Sequence, residues 1–251
     1  MAKRTALGID VGGSGIKGAV VDMLTGEFVG ERVRILTPSA FAPGDVSFVI
    51  SQVIKELDYQ GSVGIGFPAV VRSGIVSTPP TALAYPGWVG VDLASEIAKR
   101  IDIEPSQVSV VNDADAAGSA EMAMGAGRDR SGTVVVLTLG TGIGSATFVD
   151  GKLLPNTEFG RLYLGDPETA EHQASDRVRK QQDLSWKAWA ARLERLLQHL
   201  ELLVAPDLII VGGGVSKKSA KYLPRISTDV EVVPAQMLNQ AGIVGAAASC
   251  G

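Results

Sequence analysis

Two glycine-rich segments about 130 residues apart carry the residue types that grip phosphate: Gly8-Ile9-Asp10-Val11-Gly12-Gly13-Ser14-Gly15-Ile16-Lys17 and Leu139-Gly140-Thr141-Gly142-Ile143-Gly144-Ser145. Glycines at 12, 13, 140, 142 and 144 let backbone N–H groups approach an anion with no Cβ in the way, and they permit positive φ in a tight turn. Asp10 closes the apolar run before the first loop and is placed to hold Mg²⁺ through water, while Ser14 and Lys17 are within reach of phosphate oxygens. Lys17 is equally a solvated strand residue. Thr141 and the amides from Gly140 to Gly144 would form a second phosphate wall.

The elements that must position these loops repeat. Apolar segments precede each loop (Ala6 to Ile9, Val134 to Leu139) and follow it (Ala19 to Val21, Ala146 to Val149). An Asp-containing turn comes next, then a third segment, so both copies read as strand, glycine hairpin, strand, turn, strand. A dinucleotide fingerprint or a Walker loop needs a helix after the glycines, and here β-rich sequence follows instead.

Between and after the repeats, strand and helix signals alternate. Helices are expected over about 46–57, 92–101, 112–124 and 185–204, the last with Trp186, Trp189, Ala190, Leu193, Leu197, Leu200 and Val204 on one stripe. Buried strands are expected at 62–67, 108–111 and 208–211. The duplication places a domain break near residue 112, giving α/β domains over 1–111 and 112–238, with a terminal helix from about Asn239 packing back on the first.

The 251 residues are 45% hydrophobic and 20% charged, with net charge −4, which describes a globular protein and argues against general nucleic-acid binding. Cys250 is the single cysteine, so intrachain disulfides and a cysteine zinc site are excluded. There is no signal-type apolar region and no apolar run near 18 residues, so a cytoplasmic protein without a membrane span is expected.

Asn112-Asp113-Ala114-Asp115-Ala116-Ala117, Glu158-Phe159-Gly160 and Gly212-Gly213-Gly214-Val215-Ser216 complete a set of five motifs. With the two hairpins they occur in the order seen in sugar kinases of the ROK family, and the chain most resembles the branch of polyphosphate glucokinases and glucomannokinases. The resemblance spans nearly the whole chain. It implies the actin-like (ribonuclease H-like) duplicated α/β fold, two domains with a central cleft, a homodimer, Mg²⁺ as cofactor, and phosphoryl transfer from polyphosphate or ATP to the 6-hydroxyl of glucose or mannose.

The resemblance also assigns roles. Asp113 orients and deprotonates the sugar hydroxyl, although on local grounds Asn112 or Asp113 is equally a helix N-cap. Pro68, Asn112, Asp113, Glu158, Arg161 and Glu171 fall on the sugar side, while Gly212, Gly213, Gly214, Ser216, Lys217 and Lys218 fall on the nucleotide or polyphosphate side. Alone, Glu158 and Glu171 read as solvated surface, and the lysines after Ser216 as a solvated helix start. One position departs: Arg161 stands where the family has a histidine, a permanent charge with five donors in place of an imidazole. A catalytically weakened sugar- or nucleotide-binding protein is therefore the alternative. A repressor of the same family would carry a helix-turn-helix ahead of the first hairpin, where only about four residues precede the strand.

Overall fold

The structure, a computed structural model, describes residues 5–80, 85–165 and 167–250. It divides into two compact units, one of residues up to Ala120 together with those from Gln240 on, the other Glu121–Asn239.

In the first unit, β1 (Thr5–Gly12), β2 (Gly15–Asp22) and β3 (Val33–Ile35) form an antiparallel meander. After α1 (Pro43–Glu56) come β4 (Val63–Phe67), the short pair β5 (Val71–Arg72) and β6 (Ile75–Val76), α2 (Leu93–Ile101), β7 (Val108–Asn112) and α3 (Asp113–Met124). β4 lies parallel to both β1 and β7, so the sheet order is β3-β2-β1-β4-β7. β4 is buried along its whole length, as a strand covered on both faces must be.

The second unit repeats that plan. β8 (Thr133–Leu139), β9 (Ile143–Val149) and β10 (Lys152–Leu154) form the meander. Next come α4 (Ala170–Ala174), α5 (Asp176–Gln181), α6 (Trp186–Val204), β11 (Leu208–Gly212) and β12 (Glu231–Pro234), and the sheet order is β10-β9-β8-β11-β12. The chain then returns to the first unit as α7 (Ala241–Ala248).

The expected elements appear with ends shifted by a few residues; α1 starts earlier because Pro43 fits the first helical turn. The units part between Ala120 and Glu121, inside α3, rather than before Asn112. α6 buries Trp189, Ala190, Leu193, Leu196, Leu197 and Leu200, with Trp186 and Val204 partly covered beside the same core. Gly8 and Gly64 exist because α7 lies on them: a Cβ at either would strike the carbonyl oxygens of Ile243 and Ala246. No helix among the described residues is long and apolar enough to cross a membrane.

Candidate active site

In the first unit the carboxyl ends of three parallel strands bring the expected residues to one sheet edge. Asp10 pairs in register with Gly66, and Phe67 with Asn112. Ligands of open α/β sheets are bound at such edges. Asp10 also lies opposite Lys17 in the β1–β2 register, and the Lys17 ammonium donates to its carboxylate at 2.9 Å. Lys17 is thus an ion-pair partner rather than a free strand residue.

Gly13 and Ser14 form the tip of this hairpin and are exposed. Two residues from farther along the chain brace it, neither of them expected from the sequence. Arg34 donates from Nη2 to the Ser14 carbonyl at 3.0 Å and lies 2.6 Å from where a Cβ on Gly15 would stand. Thr37 donates to the Gly12 carbonyl at 2.5 Å.

The first turn of α3 resolves the capping question. Asn112 Oδ1 accepts from the amides of Ala114 and Asp115 at 2.9 and 3.1 Å, and its Nδ2 donates to the Ala69 carbonyl at 3.1 Å. Asn112, buried, both caps the helix and ties down the loop that begins with Pro68. Asp113, half-buried beside it, accepts from the Ala114 amide at 2.9 Å. Its carboxylate stands at the positive end of the helix macrodipole.

The second unit holds the remaining residues. In its hairpin the Gly140 amide donates to the Gly142 carbonyl at 3.0 Å, and the Ile143 amide to Glu171 Oε2 at 3.0 Å. Among the described residues the amides of Thr141 and Gly142 have no backbone or side-chain acceptor. Glu171, assigned to the sugar side, thus also holds the glycine hairpin, and a side chain on Gly142 would collide with its carboxylate. Positive φ is not what these glycines supply. Among the described residues with positive φ, only Gly213 (φ 80°) belongs to a phosphate-type loop; the glycines at 12, 13, 140, 142 and 144 do not. At Gly142 the service is space. Gly213 itself presses on Leu139, which carries the third loop against the second hairpin.

Glu158 is positioned by its neighbours: the Ser145 hydroxyl donates to the Thr157 carbonyl at 2.6 Å and accepts from the Phe159 amide at 2.9 Å. Burial pushes the Glu158 carboxyl up; Arg161 opposes this through charge and a 3.1 Å hydrogen bond, and nearby Glu171 adds to the rise. Arg161 is therefore not a bare replacement for an imidazole but the counter-charge of a partly desolvated carboxylate.

After Gly214, the Ser216 hydroxyl donates to the Gly213 carbonyl at 2.8 Å. Ser216–Lys221 is a 3₁₀ segment with a break at Lys218 (φ −117°, ψ 17°), not the start of an α-helix, and Lys217 and Lys218 are exposed. No group of three or more His, Cys, Asp or Glu side chains suited to a metal is found among the described residues. A part-exposed carboxylate such as Asp10, with one oxygen on Lys17 and the other left for a metal-bound water, fits Mg²⁺, which takes most of its ligands from water and substrate phosphates.

Comparison with known proteins places this arrangement. Residues 6–161 match the model of the ROK family. Polyphosphate glucokinase of Mycobacterium tuberculosis is 44% identical over 98% of this chain and 91% of its own, and that of Mycobacterium leprae 40% identical over 98% and 74%. The crystal structure of inorganic polyphosphate/ATP-glucomannokinase from Arthrobacter sp. strain KM covers 98% of each chain at 43% identity with a TM-score of 0.91. A ROK family glucokinase from Streptomyces griseus, in complex with glucose and AMPPNP, shares the fold at 24% identity and a TM-score of 0.82. With its duplicated meander-plus-parallel sheets and actin-like ATPase fold, the chain belongs to the ROK family.

Proposed function

We propose that this protein is a glucokinase that transfers a phosphoryl group from inorganic polyphosphate or ATP to the 6-hydroxyl of glucose, and of mannose as a second acceptor. The observation that carries the reading is Asp113 at the start of α3, with the neighbouring Asn112 taking the capping role. The identity over nearly the whole chain to proteins named polyphosphate glucokinase supports the substrates.

In the reaction the bond between the donor's terminal phosphorus and its bridging oxygen breaks, a new P–O bond forms to the sugar O6, and the O6 proton passes to the Asp113 carboxylate. The Asp113 carboxylate need not be a strong base, because a loose phosphoryl-transfer transition state asks more of alignment than of proton abstraction. Glu158 and Glu171 supply acceptors, and the second N–H of Asn112 Nδ2 a donor, for sugar hydroxyls. Asp10 would hold Mg²⁺, which neutralises phosphate charge when bound. The hairpin amides of Thr141 and Gly142, which have no acceptor among the described residues, and the Lys17 ammonium beside Asp10 serve the same end. Formation of glucose 6-phosphate and mannose 6-phosphate with each donor, in Mg²⁺, tests the reading. Binding of sugar without turnover by either donor would favour the catalytically weakened alternative.

Two expected results follow from the unit that carries Glu158 and Lys217. Arg161→Ala removes the charge that counters burial at Glu158, so its carboxyl should rise further. Because the ionised form accepts from sugar hydroxyls, the acidic limb of the sugar kcat/KM profile should move to higher pH; a limb that stays in place would separate Glu158 from sugar binding. Lys217→Ala with Lys218→Ala removes two exposed cations directly after the third glycine loop. A longer polyanion contacts more cations than a nucleotide does, so this variant should raise the polyphosphate KM more than the ATP KM, and polyphosphate use should be the more salt-sensitive. Equal effects on both donors would remove the lysines from donor choice.

A further inference from the structure

Beyond the glycine loops, the second unit gathers cations from two separate segments around one indole. The Arg179 guanidinium carbon sits 4.2 Å from the Trp186 ring centroid and the Lys218 ammonium 6.0 Å from it. Trp186 stacks on buried Tyr222 at 5.9 Å and 19°, and meets Trp189 edge-on at 5.7 Å. The indole therefore fixes α5 and the 216–221 segment beside one another. At its own start α5 reaches the second hairpin, since the Arg177 amide donates to the Gly140 carbonyl at 3.1 Å.

Charge accumulates along this line. Residues 176–183 and 216–221 contain Arg177, Arg179, Lys180, Lys217, Lys218 and Lys221 against Asp176 and Asp183, in a chain whose net charge is −4. Asp176 is buried and already engaged by Arg179 at 2.8 Å and Lys180 at 2.6 Å. Burial pushes its carboxyl up, but those two cations overcome it and hold it below the ordinary carboxylate range. Its charge is thus spent locally, while Lys180 stays 67% exposed and Arg177 has no ion-pair partner among the described residues.

Resting on the kinase reading above, we infer that α5 is a second contact segment for the polyphosphate chain: Arg177 beside the hairpin and Lys180 farther out extend the path that Lys217 and Lys218 line, with Trp186 as the platform aligning the two. A nucleobase is the poorer occupant, because the Arg179 guanidinium already lies over the Trp186 ring. A linear polyanion matches a row of cations fed from two segments.

The test is Arg177→Gln with Lys180→Gln, which spares the Arg179 contacts to Trp186 and Asp176, assayed with long-chain polyphosphate, tripolyphosphate and ATP at two salt concentrations. Loss of two part-exposed cations should raise the long-chain KM roughly 5- to 20-fold, by a larger factor than the KM for tripolyphosphate or ATP, and flatten its salt dependence. Arg177→Lys with Lys180→Arg keeps the charges and should restore the long-chain KM, which separates charge from any damage to folding. A long-chain KM unchanged in the Gln variant, raised by the same factor for all donors, or not restored by the charge-keeping variant would overturn the assignment. A parent enzyme that turns over ATP but no polyphosphate would overturn the donor reading itself.

Discussion

Asp113→Asn is expected to leave the fold standing and to lower kcat by roughly 10²–10⁴, the scale of general acid–base catalysis. The α3 N-terminus is capped by Asn112, whose Oδ1 takes the amides of Ala114 and Asp115, so the substitution removes no cap. Asparagine also keeps an oxygen where Asp113 Oδ1 accepts from Ala114. What it loses is the ability to take the proton from the sugar O6 and the charge that orients that hydroxyl. Turnover at saturating sugar should therefore fall for both donors alike, while loss of one negative charge from the helix N-terminus costs no more than about 1 kcal/mol in stability. Asn112→Ala makes the contrast: it loses the cap and the tether to Ala69, costs about 1 kcal/mol or more in stability, and lowers activity through displacement of the loop. A kcat for Asp113→Asn within tenfold of the parent would remove Asp113 from the proton transfer.

The glycine hairpins were legible because both a residue pattern and its repetition announce them, and the repeated sheet order reproduces that duplication strand for strand. Their detailed chemistry was not. Of the two expected uses of the hairpin glycines, positive φ is absent, and the space left by a missing side chain is used for protein neighbours, Arg34 at Gly15 and Glu171 at Gly142. A sequence states that a glycine is present, whereas the neighbour that needs its space can lie far along the chain. The same holds for Arg34 and Thr37, whose acceptors on the hairpin are 20 and 25 positions away.

Ambiguity at Asn112-Asp113 was of another kind. Both residues cap helices well, and only the hydrogen bonds show which one does so. Glu158 and Glu171, which alone read as solvated surface, are half-buried and close enough for Glu171 to raise the Glu158 carboxyl. The lysine segment after Ser216 looked like a helix start because lysine and alanine favour helices, but the Gly213 turn and the break at Lys218 keep it 3₁₀.

Glu121 gave no sequence signal and has the largest structural effect to test. It lies in the last turn of α3, where a negative charge opposes the helix dipole, and it is only 1% exposed. Three backbone amides offset that cost: Oε2 accepts from Ala126 at 2.9 Å and Gln236 at 3.0 Å, and Oε1 from Met237 at 2.7 Å. Gly125 lacks the Cβ that would strike this carboxylate. The glutamate thereby joins, within the second unit, the end of α3 to the segment after β12, next to both points where the chain passes between units. Glu121→Ala leaves three amides without their acceptor and opens a void, and should destabilise the second unit by about 3–5 kcal/mol. Glu121→Gln keeps one acceptor oxygen but turns an NH₂ group toward amides, and should cost about 1–3 kcal/mol. Hydrogen exchange gives the local readout: the amides of Ala126, Gln236 and Met237 should lose protection together in Glu121→Ala, ahead of the β8–β11 strand amides. Retention of their protection would show that the carboxylate is not what fixes this junction.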